Sequence, residues 1–326
     1  MVKIAVIMDP LESLSLKKDS TLAIIRAAQM RGHEVSYLMQ EDLFYADNLV
    51  KCCARRLQLT EAFVESLDPS VVTDTPWYEA GEENSTPLDY FDVVFMRKDP
   101  PFDMNYIYIT YLLERAESQG VLVINNPASL RNCNEKFFAT KFAEYCPPLI
   151  VSSRADLLNQ FREEQANVVF KPLDGMGGSG VFRVMAGDPN SAVVLETLTD
   201  NGRVPIMGQK FLPDISNGDK RVLLVNGEAV PFALARIPSA GEARGNLAAG
   251  GTGVGQELTE RDWQIARAVG PELQRLGLSF VGIDIIGDYL TEVNVTCPTC
   301  IRELDTQYCL DIAGMLMDHV ESLLNR

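Results

Sequence analysis

Histidine is nearly missing from this chain: His33 and His319 are the two in 326 residues, and neither stands beside a recognisable motif. That removes any ground for assigning a histidine general base, and it leaves the Cys297/Cys300 pair, a CxxC with no second CxxC, without partners for a zinc site. No stretch approaches the roughly 18 consecutive apolar residues of a membrane-spanning helix. Basic residues are scarce as well: 29 Lys and Arg stand against 45 Asp and Glu, giving a formal charge of −16 and a pI near 4.6. Such a chain does not offer the basic surface that general nucleic-acid binding needs. A GxGxxG fingerprint is absent after the first strand, and no Gly-Lys-Ser/Thr opens a helix, so neither a dinucleotide site nor a P-loop is supported. MVKIAVIMDP leads straight into a buried-strand pattern with none of the regions of a secretory signal, and the seven cysteines are odd in number and scattered. Both features set the expectation of a reducing, cytoplasmic protein.

What is present is an ordinary globular balance, 46% hydrophobic and 23% charged, in a chain long enough for one large or two to three modest α/β domains. Lys3 to Met8 predicts a buried parallel strand, Thr21 to Gln29 a helix, and Val35 to Met39 the next strand. Residues 68 to 89 hold three prolines and an acidic excess, which reads as an irregular surface excursion. Phe91 to Met96 is a strand running into Arg97-Lys98-Asp99-Pro100-Pro101, a stiff loop whose two cations are candidates for an anionic substrate. A helix is expected over Asn105 to Gln119, a strand over Val121 to Ile124 and a domain boundary just beyond. Ser153 is the expected cap of a helix over Arg154 to Gln165. Val193 to Leu198 stays open between helix and strand.

Two stretches carry chemistry. Val168 to Val184 places two apolar segments around Lys171-Pro-Leu-Asp-Gly-Met-Gly-Gly-Ser-Gly, in which backbone N–H groups can close on a phosphate with no Cβ in the way and Lys171 adds a point charge. Phe280 to Val295 reads as a hairpin turning at Gly287-Asp288, interrupted by Asp284, Glu292 and Asn294. Glu292 and Asn294 share a face. A strict two-residue loop sets Asp284 opposite position 291 and facing away from Glu292, whereas a three-residue connection or a bulge sets it opposite Glu292. Three oxygen ligands on one face suit Mg²⁺, which predicts the irregular register. Between these stretches, Asp219 to Arg236 forms a meander around Asn226-Gly227 that brings Arg221 and Arg236 toward one cleft. Residues 237 to 256, almost all small or polar, read as a mobile lid with Arg244 and Asn246 as its contacts. Thr259 and Asp262 form an imperfect capping box for a helix over Glu260 to Leu276.

RKDPPFD, NEKFF, KPLDGMGG, GDKRVL, ARIP, RGNLAAGG and TEVNVTCPTCIRE, taken together, resemble the bacterial glutathione synthetases, members of the ATP-grasp ligases, from Val2 to nearly the end. The resemblance implies an α/β fold, α+β in its catalytic part. An N-terminal parallel-sheet domain would span residues 1–126, a central lid 127–208 and a catalytic subdomain 209–326. It implies ATP-dependent ligation of γ-glutamylcysteine to glycine through an acyl phosphate, with Mg²⁺ or Mn²⁺, in a homotetramer. By motif, Lys136, Lys171, Asp174, Gly175, Gly177, Gly178, Gln209, Lys210, Phe211, Leu212 and Asp219 correspond to nucleotide contacts. Asp284, Glu292 and Asn294 correspond to the metal ligands. Arg221, Arg236, Arg244, Asn246 and Arg302 correspond to the peptide and glycine side, with Arg302 matched to glycine's carboxylate. Cys297 stands where serine is expected, and a thiol there beside a cationic cleft is expected to ionise readily.

Overall fold

The computed structural model describes residues 1–66, 76–239, 245 and 250–325. The sixteen strands among the described residues form three sheets. The first contains β1 (Lys3–Ile7), β2 (Glu34–Leu38), β3 (Leu43–Ala46), β4 (Leu49–Leu59), β5 (Tyr78–Pro87), β6 (Val93–Met96) and β7 (Leu122–Ile124). Here β2-β1-β6-β7 are parallel, and buried on both faces by helices, which is why Ile4 to Met8 is an unbroken apolar run of nearly zero exposure. The other strands are antiparallel: β4 pairs with β2, β3 and β5. The expected parallel sheet is thus present, extended on one side by antiparallel strands, and the described part of the expected irregular excursion is largely the strand β5. Its side chains are mostly exposed, so no apolar alternation marks it in the sequence.

The second sheet has the order β10-β9-β11-β8, from β8 (Leu149–Ser152), β9 (Asn167–Pro172), β10 (Phe182–Met185) and β11 (Ile206–Lys210). It runs two residues past the expected division at 208/209. Helices Ala155–Gln165 and Ser191–Leu198 cover it, so the segment left open between helix and strand is a helix. Arg154 caps the first of these without a side-chain bond, and it is Ser152, not Ser153, whose hydroxyl accepts from the Arg154 N–H at 3.0 Å.

The third sheet runs β14-β13-β12-β15-β16, from β12 (Asp219–Val225), β13 (Glu228–Ile237), β14 (Thr252–Glu257), β15 (Phe280–Ile286) and β16 (Tyr289–Asn294). The middle of the expected lid, residues 240–244 and 246–249 with Arg244 and Asn246, lies outside the described residues, and its described C-terminal end is the strand β14. The helix Glu260–Arg275 carries the capping box: Thr259 Oγ1 accepts from the Asp262 N–H at 3.2 Å, and Asp262 Oδ2 from the Thr259 N–H at 2.9 Å. Buried Asp262 also pairs with Lys220 of β12, docking the helix on the sheet.

The apolar residues divide unequally. Faces of the first and third sheets share two large clusters, one joining Ala5, Val94 and Val123 with Ile283 and Val293, the other joining Ile4 and Phe95 with Leu223 and Met317. The second sheet has its own small core of Leu158, Phe161, Val168, Phe170, Val184, Leu195 and Ile206. Asn125 fastens the first sheet to the third, accepting from Phe280 N–H at 2.9 Å and donating to Phe280 O and Val295 O, each at 2.8 Å.

Candidate active site

A cleft of about 730 Å³ lies where the three sheets meet. Its charged centre is built by the meander and the hairpin. In the hairpin, Ile286 pairs with Tyr289 and Ile285 with Leu290, so the loop is the two-residue Gly287-Asp288; an irregularity then sets Asp284 opposite Glu292 and Gly282 opposite Asn294. The extra residue is Thr291, whose hydroxyl donates to Asp284 O at 3.1 Å. The irregular register anticipated from the acids is thus realised by a bulge, and all three oxygen-bearing side chains share one face.

On the neighbouring strand, Arg221 pairs in register with Asp284 and grips it twice, Nε to Oδ1 at 2.5 Å and Nη2 to Oδ2 at 2.8 Å. Arg236, opposite Asp219, reaches Asp284 Oδ2 at 2.9 Å and Asp219 Oδ2 at 2.6 Å. Gly282 makes the first grip possible, because a Cβ there would meet Arg221 Cδ at 2.7 Å. Burial opposes ionisation of Asp284, but the two guanidinium groups outweigh it and hold the carboxyl well below its usual range. At Asp219 burial wins over Arg236 and raises the carboxyl to about 7. Its Oδ1 is buried without a partner, and the residue lines the cleft.

The second sheet and the short helix Glu135–Phe138 supply the lysines. Lys136 Nζ lies 3.1 Å from Glu292 Oε1 and also donates to Gly175 O, tying the glycine loop to the hairpin. Lys171 Nζ is 3.4 Å from Gln209 Oε1, and its burial lowers its pKa. In the loop, Gly177, Gly178 and Gly180 have φ of 63°, 77° and 69°, and a Cβ on Gly175 would meet Pro172 Cγ at 2.6 Å, so no other residue fits this path without strain. Gln209, Lys210, Phe211 and Leu212 line the same cleft.

Of the residues expected from sequence, Lys98, Asp174 and Arg302 do not line the cleft, whereas the other described ones do. Arg302 Nη1 instead donates to Leu16 O at 2.7 Å, and its guanidinium lies over the Phe63 ring. Lys98, a candidate for an anionic substrate, is bound to Asp9 Oδ1 at 2.8 Å. Arg97 lines the cleft but is buried and donates to Pro298 O at 2.9 Å and Thr21 Oγ1 at 3.2 Å. The expectation for Cys297 is reversed: burial pushes its thiol well above the ordinary value, and Sγ lies 3.2 Å from Arg97 O. Reading the sequence missed Glu135, a half-buried carboxylate whose Oε1 accepts from Val295 N–H at 2.9 Å, Thr296 N–H at 3.0 Å and Thr296 Oγ1 at 2.7 Å. It holds the chain just after Asn294 against the helix bearing Lys136, and its one sequence signal is adjacency to that lysine.

Among the described residues no cluster of three His, Cys, Asp or Glu side chains forms a cation site. Two carboxylates and an amide do converge here. Asn294 Nδ2 donates to Asp284 Oδ2 and Gly282 O, each at 3.2 Å, which leaves its Oδ1 available. The donor set is all oxygen, as a hard dication requires.

A polyanion-binding cleft between two antiparallel sheets, with a glycine loop and two lysines on one side and a carboxylate hairpin on the other, is the architecture of an ATP-grasp ligase. Solved structures agree in fold: D-cycloserine synthetase at TM-score 0.65, 15% identity and 98% and 99% of the two chains, and an ATP-grasp ligase complexed with a precursor peptide and AMPPNP at TM-score 0.60, 17% identity and 100% and 99% of the two chains. The family model of the prokaryotic glutathione synthetase N-terminal domain matches residues 2–131, and that of its ATP-grasp domain residues 135–309. Glutathione synthetase of Pseudomonas putida is 53% identical over 99% of this chain and 98% of its own; that of Shewanella oneidensis is 50% identical over 100% of both. The chain belongs to the prokaryotic glutathione synthetase family and is an ATP-dependent ligase.

Proposed function

We propose that this chain joins γ-glutamylcysteine to glycine, forming glutathione, ADP and phosphate, with the residues of the cleft in the roles that follow. The convergence of Lys136, Lys171, Arg221 and Arg236 on Asp284, Glu292 and Asn294 carries the reading, because it answers the electrostatic problem of the first step. There a carboxylate must approach a triphosphate. The cysteinyl carboxylate attacks the γ-phosphorus, the bond to the β-phosphate oxygen breaks, and ADP leaves. Lys136, Lys171 and the N–H groups of Gly175 to Gly180 hold the phosphates in line for that attack. Mg²⁺ or Mn²⁺, held by Asp284, Glu292 and Asn294, neutralises charge on the phosphoryl group when bound.

In the second step glycine's deprotonated amine attacks the acyl carbon, a tetrahedral oxyanion forms, and phosphate leaves with the bonding pair as the amide closes. Arg236, buried and already oriented by Asp219 and Asp284, is placed for that oxyanion, since a preorganised cation needs no reorientation as charge develops. Gln209 to Leu212 line the adenine side. A homotetramer in the cytoplasm completes the proposal: the oligomer rests on the resemblance, and the compartment on seven free cysteines. No helix among the described residues is long and apolar enough to cross a membrane.

The test is ADP and phosphate release from MgATP and γ-glutamylcysteine, with and without glycine. Glycine-dependent release with glutathione as product is the expected result. Release with another amine or acid, but not with this pair, would retain the ligase and discard these substrates.

A further inference from the structure

Asn134, Glu135 and Lys136 are consecutive polar residues, and each finds its partners in a different part of the molecule. Asn134 Nδ2 donates to Leu173 O at 3.0 Å, at the start of the glycine loop. Its Oδ1 caps the short helix Glu135–Phe138 by accepting from Phe137 N–H at 3.0 Å. Glu135 Oε1 takes Val295 N–H, Thr296 N–H and Thr296 Oγ1, just past Asn294. Lys136 lies between them, on Gly175 O and Glu292. The tripeptide straps the glycine loop of the second sheet to the hairpin of the third.

The two cleft lysines are held by different means. Lys171 belongs to β9, where pairing with Met207 of β11 fixes its backbone. Lys136 stands on a helix of four residues, well below the length at which a helix is stable by itself. Apolar burial does not make up the difference: the one buried residue of that helix is Lys136, Phe137 is 51% exposed and Phe138 is half-buried. The ammonium also sits on a flexible four-carbon stem, so a small tilt of the helix displaces it. β16, by contrast, is anchored along its length. Val293 pairs with Ile283 and Asn294 with Gly282, and Leu290, Val293 and Val295 are fully buried. A bond between a weak element and a rigid one positions the weak one. Glu135 makes that bond.

We propose that Glu135 is a positioning residue for Lys136: fixed on the chain after Asn294, it sets the lysine ammonium where the glycine loop meets Glu292. The proposal rests on the nucleotide role given to Lys136 above and goes past it by assigning a residue that acts on the phosphates only through another. One oxygen collects all three donors, so the position requires an acceptor of this reach. The negative charge is not what it requires, since Glu292 is near enough to oppose it.

The experiment is a double-mutant cycle read by calorimetric binding of MgATP, without γ-glutamylcysteine or glycine, so that no turnover intervenes. Lys136→Met is expected to weaken binding by about 10- to 100-fold and Glu135→Ala by about 10-fold. The double variant should bind no worse than Lys136→Met alone, because nothing is left to position. Glu135→Gln keeps an acceptor oxygen and is expected to stay within about threefold of wild type. If Glu135→Ala costs as much in the Lys136→Met background as in wild type, Glu135 supports the fold at large and the proposal is overturned. Equal losses in Glu135→Gln and Glu135→Ala, which would make the charge the contributor, overturn it too, as does Glu135→Ala binding like wild type. Should Glu135→Ala fail to fold, Thr296→Val takes its place, removing one of the three donors from outside the helix. It is expected to weaken MgATP about threefold in wild type and not at all beside Lys136→Met; equal losses in both backgrounds overturn the assignment. Lys136→Met that binds MgATP like wild type refutes the nucleotide role of Lys136, and the proposal with it, and is told apart by that single variant.

Discussion

Asp284 and Glu292 face each other across a hairpin, yet their surroundings differ. Two guanidinium groups enclose Asp284, while Glu292 pairs, among the described residues, with the ammonium of Lys136. Removing the charge of Asp284 would leave Arg221 and Arg236 buried and partly unpaired, so Asp284→Asn is expected to cost stability as well as turnover. Glu292 is the cleaner probe. Glu292→Gln should lower turnover by about 100-fold or more and move the thermal midpoint by only a few degrees, as read by ADP release and calorimetry. Thiol reactivity is decided at the same scale. Cys297 is partly exposed on the cleft wall with its thiol pushed up, while Cys309 is exposed. Limited alkylation followed by mass spectrometry should label Cys309 before Cys297, with activity retained while Cys309 alone is modified; labelling of Cys297 first would contradict its raised thiol.

Among the elements, the helix Met104–Glu117 ends on a titratable contact. Burial raises the carboxyl of Glu117 to about 7, against the opposing effect of the Asn126 amide, whose Nδ2 lies 3.2 and 3.3 Å from its oxygens. A folded-state pKa above the unfolded value means the folded state binds the proton more tightly. The resulting stability is fully present below about 4.5 and is lost as pH rises through about 7. Wild type should therefore lose thermal stability between pH 5 and 8 relative to Glu117→Gln, and parallel melting profiles for the two would refute this. The hairpin teaches a related lesson. Its acids were legible, and so was the need for an irregular register, but whether a longer loop or a bulge supplied it was not. The choice was made by burial of Leu290 opposite Ile285 and by the Thr291 bond to Asp284 O, both long-range consequences of packing.

In the molecule as a whole, the first and third sheets share their apolar clusters while the second keeps a small core of its own. A body with a separate core opens at lower free energy than the parts that share one. Lys136 bonded to Gly175 O and Glu292, and Lys171 beside Gln209, are the groups proposed above to hold the nucleotide's phosphates. Hydrogen exchange should thus be faster in residues 149–210 than in β12 and β15. MgATP should slow it most around Gly175 to Gly180, and uniform protection of all three sheets would contradict a separately moving second sheet.

By itself the sequence determined the features that depend on local chemistry: the buried run of β1, the capping box at Thr259, the glycine loop beside Lys171 and the oxygen-bearing side chains of the hairpin. Each is a rule about neighbours in the chain, where spacing and residue type suffice. Only the tertiary structure decided which charges face the cleft. Arg302 and Glu303 are adjacent and equally polar, and Lys98 and Lys18 equally basic. Nothing local tells that Leu16 O takes the first arginine, or that Asp9 takes Lys98 while Lys18 has no ion-pair partner among the described residues. A charge is claimed by whatever partner folding brings nearest, and those partners are separated by up to 286 residues.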